Sequence, residues 1–402
     1  MLRATKVRIY PTPEQQSALD RQFGSVRFVW NRALAIMRHR YRVHGQSLSA
    51  KHDLKKLLPV AKRNRRYAWL AEADSMALQQ SLLNLDRAFK AFFEGRARYP
   101  SFKGRRGRQS SYHLTGRTAV VAGAIEIPKV PGAIEARLHR EVTGLLKSIT
   151  LSRSVTGKYY AALLYDDGAR APEPAAVVMP EAIVGVDVGL THLMIESTGR
   201  KTENPRHLRR AAKNLRRKQK SLSRKKKGSK NRAKARLRVA KAHERVANAR
   251  ADFQHKQSRR LVDENQAIVV ESLAIKNLLK NHCLARAISD AAWGLLVTKL
   301  KYKAKAAGVH LVELNRFAPT SKTCSLCDHK LDDLPLAVRT WTCPKCGSEH
   351  DRDLNAAANL KRWGILELRT GGWHVPACGG LRKSTPAVVA ASETGNSAAQ
   401  AA

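Results

Sequence analysis

Two cysteine pairs, Cys324-x-x-Cys327 and Cys343-x-x-Cys346, constrain this chain more tightly than any other pattern in it. Each pair sets two thiolates on one tight turn, and two such turns complete a tetrahedral four-thiolate shell with Zn–S bonds of about 2.3 Å. Fifteen residues separate Cys327 from Cys343, inside the spacing of zinc ribbons, and Gly347 just after Cys346 suits the turn. The competing readings are a redox pair or ordinary buried thiols; the doubled spacing favours zinc. With four thiolates there is no open coordination position, so such an ion is structural. Cys283 and Cys378 stand apart and receive no assignment.

Carboxylates from distant parts of the chain surround this ribbon. Asp187 lies in Val184-Gly185-Val186-Asp187-Val188-Gly189-Leu190, Glu271 ends Ala267-Ile268-Val269-Val270, and His350-Asp351-Arg352-Asp353-Leu354-Asn355 follows the cysteines. Each acid alone has an ordinary explanation: a turn cap for Asp187, an exposed strand end for Glu271, a favoured helix N-terminus for Asp351 or Asp353. Their shared context points elsewhere. Two apolar strands each deliver a carboxylate near the C-terminal end, and a late helix can deliver a third. Such a cluster repels itself without a bound cation. It would bind Mg²⁺ through carboxylates and waters, and two ions ~4 Å apart would activate water and stabilise the leaving oxygen of a phosphodiester. That is the ribonuclease H-like plan, with Asp351 and Asp353 both open as the third acid.

Charge identifies the kind of substrate. Lys and Arg number 75 against 32 Asp and Glu, a formal net charge of +43. That excess exceeds what solubility needs and implies extensive phosphate contact, weakening as salt rises. A membrane-surface role is disfavoured because no amphipathic helix with large aromatics accompanies the charge. No apolar run approaches the ~18–20 residues that span a bilayer. Met1-Leu2-Arg3-Ala4-Thr5-Lys6 leads into strand and helix patterns rather than a signal peptide, so a cytoplasmic protein is expected. Metal-binding CxxC pairs suit that reducing compartment better than disulfides do.

Periodicity places these motifs. Residues 5–10 alternate as a half-buried strand, and Thr12-Pro13-Glu14-Gln15 supplies an N-cap, a first-turn proline and a capping-box glutamine. Leu19, Phe23, Val26, Trp30, Leu34 and Met37 then mark one helical face, and Leu78, Leu82, Leu85, Phe89 and Phe92 another. Short alternating runs between about 112 and 168 predict a small β-barrel that includes the first strand. Ala171-Pro172-Glu173-Pro174 reads as a linker. Strands are expected at Ile183–Leu190, Leu193–Glu196, Ala267–Val270 and Val309–Leu314, with helices at Ile288–Ala307 and Leu354–Trp363. Between them, Leu208, Leu215 and Leu222, then Val239, Val246 and Phe253, recur every seven residues. These narrow stripes on either side of Lys225-Lys226-Lys227-Gly228-Ser229-Lys230 predict an antiparallel helical hairpin facing nucleic acid. A solvated charged surface is the bland alternative.

Taken together, these motifs resemble the TnpB family of transposon-encoded, RNA-guided nucleases, relatives of the compact type V CRISPR effectors. The resemblance runs through Lys6-Val7-Arg8-Ile9-Tyr10-Pro11-Thr12, Phe28-Val29-Trp30-Asn31 and Tyr99-Pro100-Ser101-Phe102-Lys103. It continues in Gly185-Val186-Asp187-Val188-Gly189, Val270-Glu271-Ser272-Leu273 and Pro319-Thr320-Ser321-Lys322-Thr323-Cys324, and ends in Asp351-Arg352-Asp353-Leu354-Asn355-Ala356-Ala357. It implies a multidomain α+β and α/β protein. A wedge-like β-barrel (residues 1–10 and 112–175) would hold an inserted helical recognition lobe (11–111). A RuvC nuclease domain of the ribonuclease H-like kind (181–316 and 348–374) would include the basic hairpin (206–260) and an inserted zinc ribbon (317–347) that binds target nucleic acid. A disordered tail is expected at 375–402.

The resemblance maps the acids to Asp187, Glu271 and Asp353, as catalytic magnesium ligands, and Cys324, Cys327, Cys343 and Cys346 to zinc. Asp328 stands where the family usually has glycine after the first zinc pair. The implied activity is Mg²⁺-dependent, RNA-guided cleavage of double-stranded DNA beside a short flanking motif. The guide RNA would come from the transposon end, and the particle is expected to be a monomeric ribonucleoprotein in a prokaryotic cytoplasm. Two other functions fit the same residues. One is a ribonuclease H-like transposase acting without RNA, and the other a catalytically silent RNA-guided DNA-binding regulator.

Overall fold

A computed structural model describes residues 1–105, 110–116, 118–121 and 123–375. It divides into two compact units, residues 1–170 with 218–244, and residues 171–217 with 245 onward. Residues 376–402, which include Cys378 and nearly all of the expected tail, lie outside the described residues.

The first unit is built on a seven-stranded antiparallel sheet. Its strands are β1 (Leu2–Tyr10), β2 (Ser110–Leu114), β3 (Ala119–Val121), β4 (Ala124–Glu126), β5 (Ile134–Arg137), β6 (Leu145–Arg153) and β7 (Tyr159–Asp166). Their order is β2-β6-β7-β1-β5-β4-β3, so the first strand of the chain is central. Strict alternation carries the core: every second residue of β7, from Tyr159 to Tyr165, is buried. The sheet curls into a half-barrel, and among the described residues no pairing of β2 with β3 closes the barrel that alternation predicted. Pro128 and Pro131 flank Lys129, whose φ is +62°, and stop β4 after three residues. The opposite edge, β2, lies against two helices, α1 (Pro13–His44) and α3 (Ser75–Phe93), which blunt it.

Helix α1 begins as its sequence predicts. Thr12 accepts from the Gln15 amide while the Gln15 side chain accepts from the Thr12 amide, and Gly45 ends the helix in the left-handed region. Leu19, Phe23 and Leu34 of α1 and Leu78, Leu82 and Leu85 of α3 are buried in one core with the sheet, whereas Phe89 is only partly covered. Helix α2 (Leu57–Arg63) has no fully buried residue, and only Leu58 and Ala61 pack partly against this core.

The second unit holds a five-stranded mixed sheet ordered β10-β9-β8-β11-β12. Its members are β8 (Ile183–Asp187), β9 (His192–Glu196), β10 (Lys201–Glu203), β11 (Ala267–Glu271) and β12 (His310–Leu314). Strands β8, β11 and β12 run parallel, and β8 is antiparallel to β9. All but the last residue of β8 and β11 are buried, as expected of strands covered on both faces. One face, with Val184, Val186, Ile268 and Val270, packs on α8 (Trp293–Ala307) and its neighbours. The other, with Ile183, Ala267 and Val269, packs on α9 (Arg352–Thr370).

Two helices, α4 (His207–Ser223) and α5 (Lys230–Glu264), stand where the basic hairpin is predicted, with Leu215 and Val246 buried on the heptad stripes. The remaining short elements are α6 (Ile275–Leu278), α7 (Ala285–Ala291) and the paired strands β13 (Thr340–Thr342) and β14 (Glu349–Asp351). The single helix expected over Ile288–Ala307 is broken: α7 and α8 meet at Ala292, which sits at φ +53°. Such a conformation costs a non-glycine residue on the order of 1–3 kcal/mol. The break frees the Ala291 and Ala292 carbonyls to accept from the buried Gln254 amide, both at 3.1 Å. It also turns Asp290 onto the start of α4, where its carboxylate accepts from the Leu208 and Arg209 amides at 2.8 and 3.0 Å. Val375 is buried, and its carbonyl accepts from Arg369.

Candidate functional site

Asp187 and Glu271 end the neighbouring parallel strands β8 and β11. Their register pairs Ile183 with Ala267 and Val186 with Val270, so one further step sets Asp187 beside Glu271. Strand residues alternate faces. Asp187 therefore shares the face of Ile183 and Gly185, and Glu271 that of Ala267 and Val269, which is the face α9 covers.

Two glycines let α9 lie directly on that face. A Cβ on Gly185 would come within 2.1 Å of the Ala357 carbonyl oxygen, and one on Gly364 within 2.2 Å of a Val269 methyl. Ala357 is thus pinned over Gly185. Asp353 lies one helical turn back from Ala357, about 6 Å along the axis at 1.5 Å per residue. Asp187 lies two strand residues on from Gly185, also about 6–7 Å away at 3.3 Å per residue. Asp353 comes close enough for its charge to act on the Asp187 carboxyl.

Electrostatics record the proximity. Burial first, then the charges of Asp353 and Glu271, push the Asp187 carboxyl up from 3.8 to about 7. An amide hydrogen bond from Val188 and the charge of Arg352 oppose this without cancelling it. Asp187 keeps a partial opening to solvent although protein atoms crowd it from most directions. Burial also raises the Glu271 carboxyl. Beyond Asp187, the Trp293 indole N–H donates to the Gly189 carbonyl at 3.3 Å and steadies the loop that leaves β8.

Asp351 and Asp353 have different surroundings. Asp351 caps α9, accepting from the Asp353 and Leu354 amides, and also accepts from Lys201 Nζ at 2.6 Å. Those bonds hold its carboxyl below the usual range against the opposing effect of burial. Asp353 instead pairs with Arg339 at 3.4 Å. Lys201, Arg339 and Trp293 carry no sequence signal of their own; only the fold brings them to these acids.

Among the described residues, the His, Cys, Asp and Glu groups whose ligand atoms all lie within 4.8 Å of one another reduce to one, Cys324, Cys327, Cys343 and Cys346. The three carboxylates are more widely spread. Sulfur separations of 3.7 Å (Cys324–Cys346) and 3.5 Å (Cys327–Cys343) suit a tetrahedral zinc shell, whose edges are ~3.8 Å for 2.3 Å bonds. The two knuckles share one geometry. Cys324 N–H donates to the His329 carbonyl and Cys343 N–H to the Ser348 carbonyl, both at 2.8 Å. The fourth residue after each leading cysteine is left-handed, Asp328 at φ +63° and Gly347 at φ +70°. Asp328 thus takes a glycine-like conformation, and its carboxylate is ion-paired with Arg362 of α9. His350 Nε2 lies 3.1 Å from Cys324 Sγ, placed to support that ligand. The exposed Cys283 lies outside this group.

A broad positive surface accompanies these centres. Of the 17 residues of α4, seven are Lys or Arg and none is acidic. No helix among the described residues is long and apolar enough to cross a membrane.

Comparison with known proteins follows this architecture. Residues 169–282 match the IS605 OrfB family model described as "Probable transposase", and residues 293–360 match "Cas12f1-like, TNB domain". Residues 1–46 match an IS605 OrfB model named "Helix-turn-helix domain", although here they form β1 and the single helix α1. A Streptomyces pristinaespiralis protein named "Putative RNA-guided DNA endonuclease" is 40% identical over 92% of this chain and 91% of its own. "Putative RNA-guided DNA endonuclease InsQ" of Escherichia coli is 30% identical over 92% of this chain and 94% of its own. The protein of a Cas12f1–sgRNA–target DNA complex shares the mixed α/β fold, with a TM-score of 0.55 at 14% identity, over 90% of this chain and 98% of its own. The chain therefore belongs to the TnpB (IS605 OrfB) family.

Proposed function

We propose that this protein is a magnesium-dependent DNA endonuclease that cuts both strands of a duplex matching a bound guide RNA, beside a short flanking motif. The second unit is read as a RuvC-like nuclease domain with an inserted zinc ribbon. The observation that carries the reading is the Asp187 carboxyl, lifted to about 7 by burial and by Asp353 and Glu271. A partly hidden acid crowded by two others is poised for a cation, because the cation relieves both the repulsion and the desolvation.

Asp187, Glu271 and Asp353 would hold the magnesium. When bound, it would activate water and offset charge on the departing oxygen of the phosphodiester. Asp187 would lose the proton that it partly retains near neutral pH. Asp351 keeps α9 capped, so the helix presents Asp353 at a fixed level. Arg339, an exposed guanidinium, is free to turn from Asp353 onto a phosphate. The four-cysteine shell would hold zinc and give the ribbon its fold. The basic face of α4 would track guide and target phosphates, leaving most sequence discrimination to base pairing.

Purified wild-type and Asp187→Ala ribonucleoproteins, given a matched duplex, test this. The variant is expected to bind target in an RNA-dependent manner and to cut nothing. Wild-type cutting by Asp187→Ala would refute the assignment. Activity surviving RNase treatment would instead favour a transposase acting without RNA.

A further inference from the structure

Helix α9 has a second face, turned away from the acids. Asn355, Asn359 and Arg362 recur at four- and three-residue steps, and all three reach the first zinc knuckle. Asn355 Nδ2 donates to the Thr323 carbonyl at 2.8 Å, and its Oδ1 accepts from the Ser325 amide at 3.0 Å. Asn359 Nδ2 donates to the Thr320 and Thr323 carbonyls at 2.7 and 2.6 Å. Arg362 donates to the Ser325 carbonyl at 3.2 Å and pairs with Asp328. Asn355 and Asn359 are 3% and 0% exposed, so these bonds form where an unpartnered group is most costly.

The carbonyls involved flank Cys324, and their positions depend on the knuckle keeping its shape. On its other face, the same helix carries Asp353, with Ala357 over Gly185 and Gly364 on Val269. One rigid helix is therefore fixed on two sides, by the sheet and by the knuckle.

We infer that Asn355, Asn359 and Arg362 are positioning residues through which the folded zinc knuckle sets the placement of Asp353. Cation binding at the acid cluster then depends on zinc loading at a site that shares no ligand with it. This rests on the carboxylate cluster being the cation site proposed above. Partners that hydrogen-bond a metal ligand directly typically change metal affinity by about 10–100-fold when removed; these residues act through the helix, so the low end of that range is expected.

The test uses the full-length ribonucleoprotein, with Mn²⁺ as the probe and electron paramagnetic resonance as the readout, alongside zinc content and thermal unfolding. Asn359→Ala should keep its zinc and a cooperative melt, yet bind Mn²⁺ about tenfold more weakly. Arg362→Gln removes the Ser325 hydrogen bond and the Asp328 ion pair and should weaken Mn²⁺ binding by up to about tenfold; it carries the test should Asn359→Ala fail to fold. Partial zinc removal should lower Mn²⁺ affinity in the wild type in proportion to the zinc withdrawn. Wild-type Mn²⁺ affinity in a folded, zinc-loaded latch variant overturns the inference. Asp187→Asn separates the two claims: if it too binds Mn²⁺ normally, the carboxylate site itself is wrong, whereas loss there with no effect at Asn359 refutes the latch alone.

Discussion

The carbonyl oxygen of Ala357 occupies the space where a side chain on Gly185 would begin, 2.1 Å from its ideal Cβ. That approach sets the height of α9 on the sheet, and through it the distance from Asp353 to Asp187. Gly185→Ala adds one methyl group against immovable backbone. Overpacking of this kind costs about 1–3 kcal/mol. The variant should melt several degrees lower and, though every carboxylate remains, should bind Mn²⁺ more weakly than wild type. Unchanged melting and Mn²⁺ affinity would show that α9 does not rest on this glycine.

Asp187 gives stability a distinct pH dependence in cation-free protein. Its carboxyl is raised from 3.8 to about 7, so the folded state holds a proton that the unfolded state releases. Stability from this group is present below about pH 4 and is lost as pH rises through about 7. Each unit of displacement corresponds to ~1.4 kcal/mol, so the whole effect is on the order of a few kcal/mol. In EDTA at pH 8, Asp187→Asn should therefore melt above wild type, and the gap should close towards pH 4. A gap independent of pH would remove the raised carboxyl from the account.

Asp351 and Asp353 are two residues apart and should fail differently. Asp351→Ala removes the α9 cap and the Lys201 pair, so about 1 kcal/mol of stability should go, with cutting reduced but measurable. Asp353→Ala leaves the cap intact and should reduce cutting to background with little change in melting. Parallel cleavage and melting measurements distinguish them, and the reverse pattern would make Asp351 the third acid.

Much of this organisation is written in local sequence. The Thr12 capping box, the alternation of β7 and the apolar runs of β8 and β11 each follow from short-range rules, and the structure forms those elements there, although β8 ends at Asp187 rather than running on to Leu190. Other features depend on distant partners. Asp290 caps α4 from 82 residues away, and the break at Ala292 is held by Gln254, so no periodicity announces either. Whether the outer strands β2 and β3 pair depends on contacts across the sheet rather than on alternation within either strand. The acid-bearing segments were visible as strand and helix ends. The close approaches at Gly185 and Gly364 that set their spacing were not, because a glycine in a buried run looks the same whether or not a helix leans on it.

The basic face of α4 makes a prediction about salt. Replacing Arg209, Arg210 and Lys213 with glutamine should weaken nucleic-acid binding and flatten the log–log salt slope by about 0.7–0.9 for each phosphate no longer neutralised. Filter binding at several salt concentrations reads this directly. An unchanged slope would assign α4 to the solvated surface.

Anomalous diffraction from Mn²⁺-soaked crystals of the guide-bound protein examines the central claim with the fewest intermediate steps. The account predicts manganese peaks bounded by the carboxylates of Asp187, Glu271 and Asp353, clearly separate from zinc at the four cysteines. Manganese located elsewhere, with those three side chains turned apart, would contradict it.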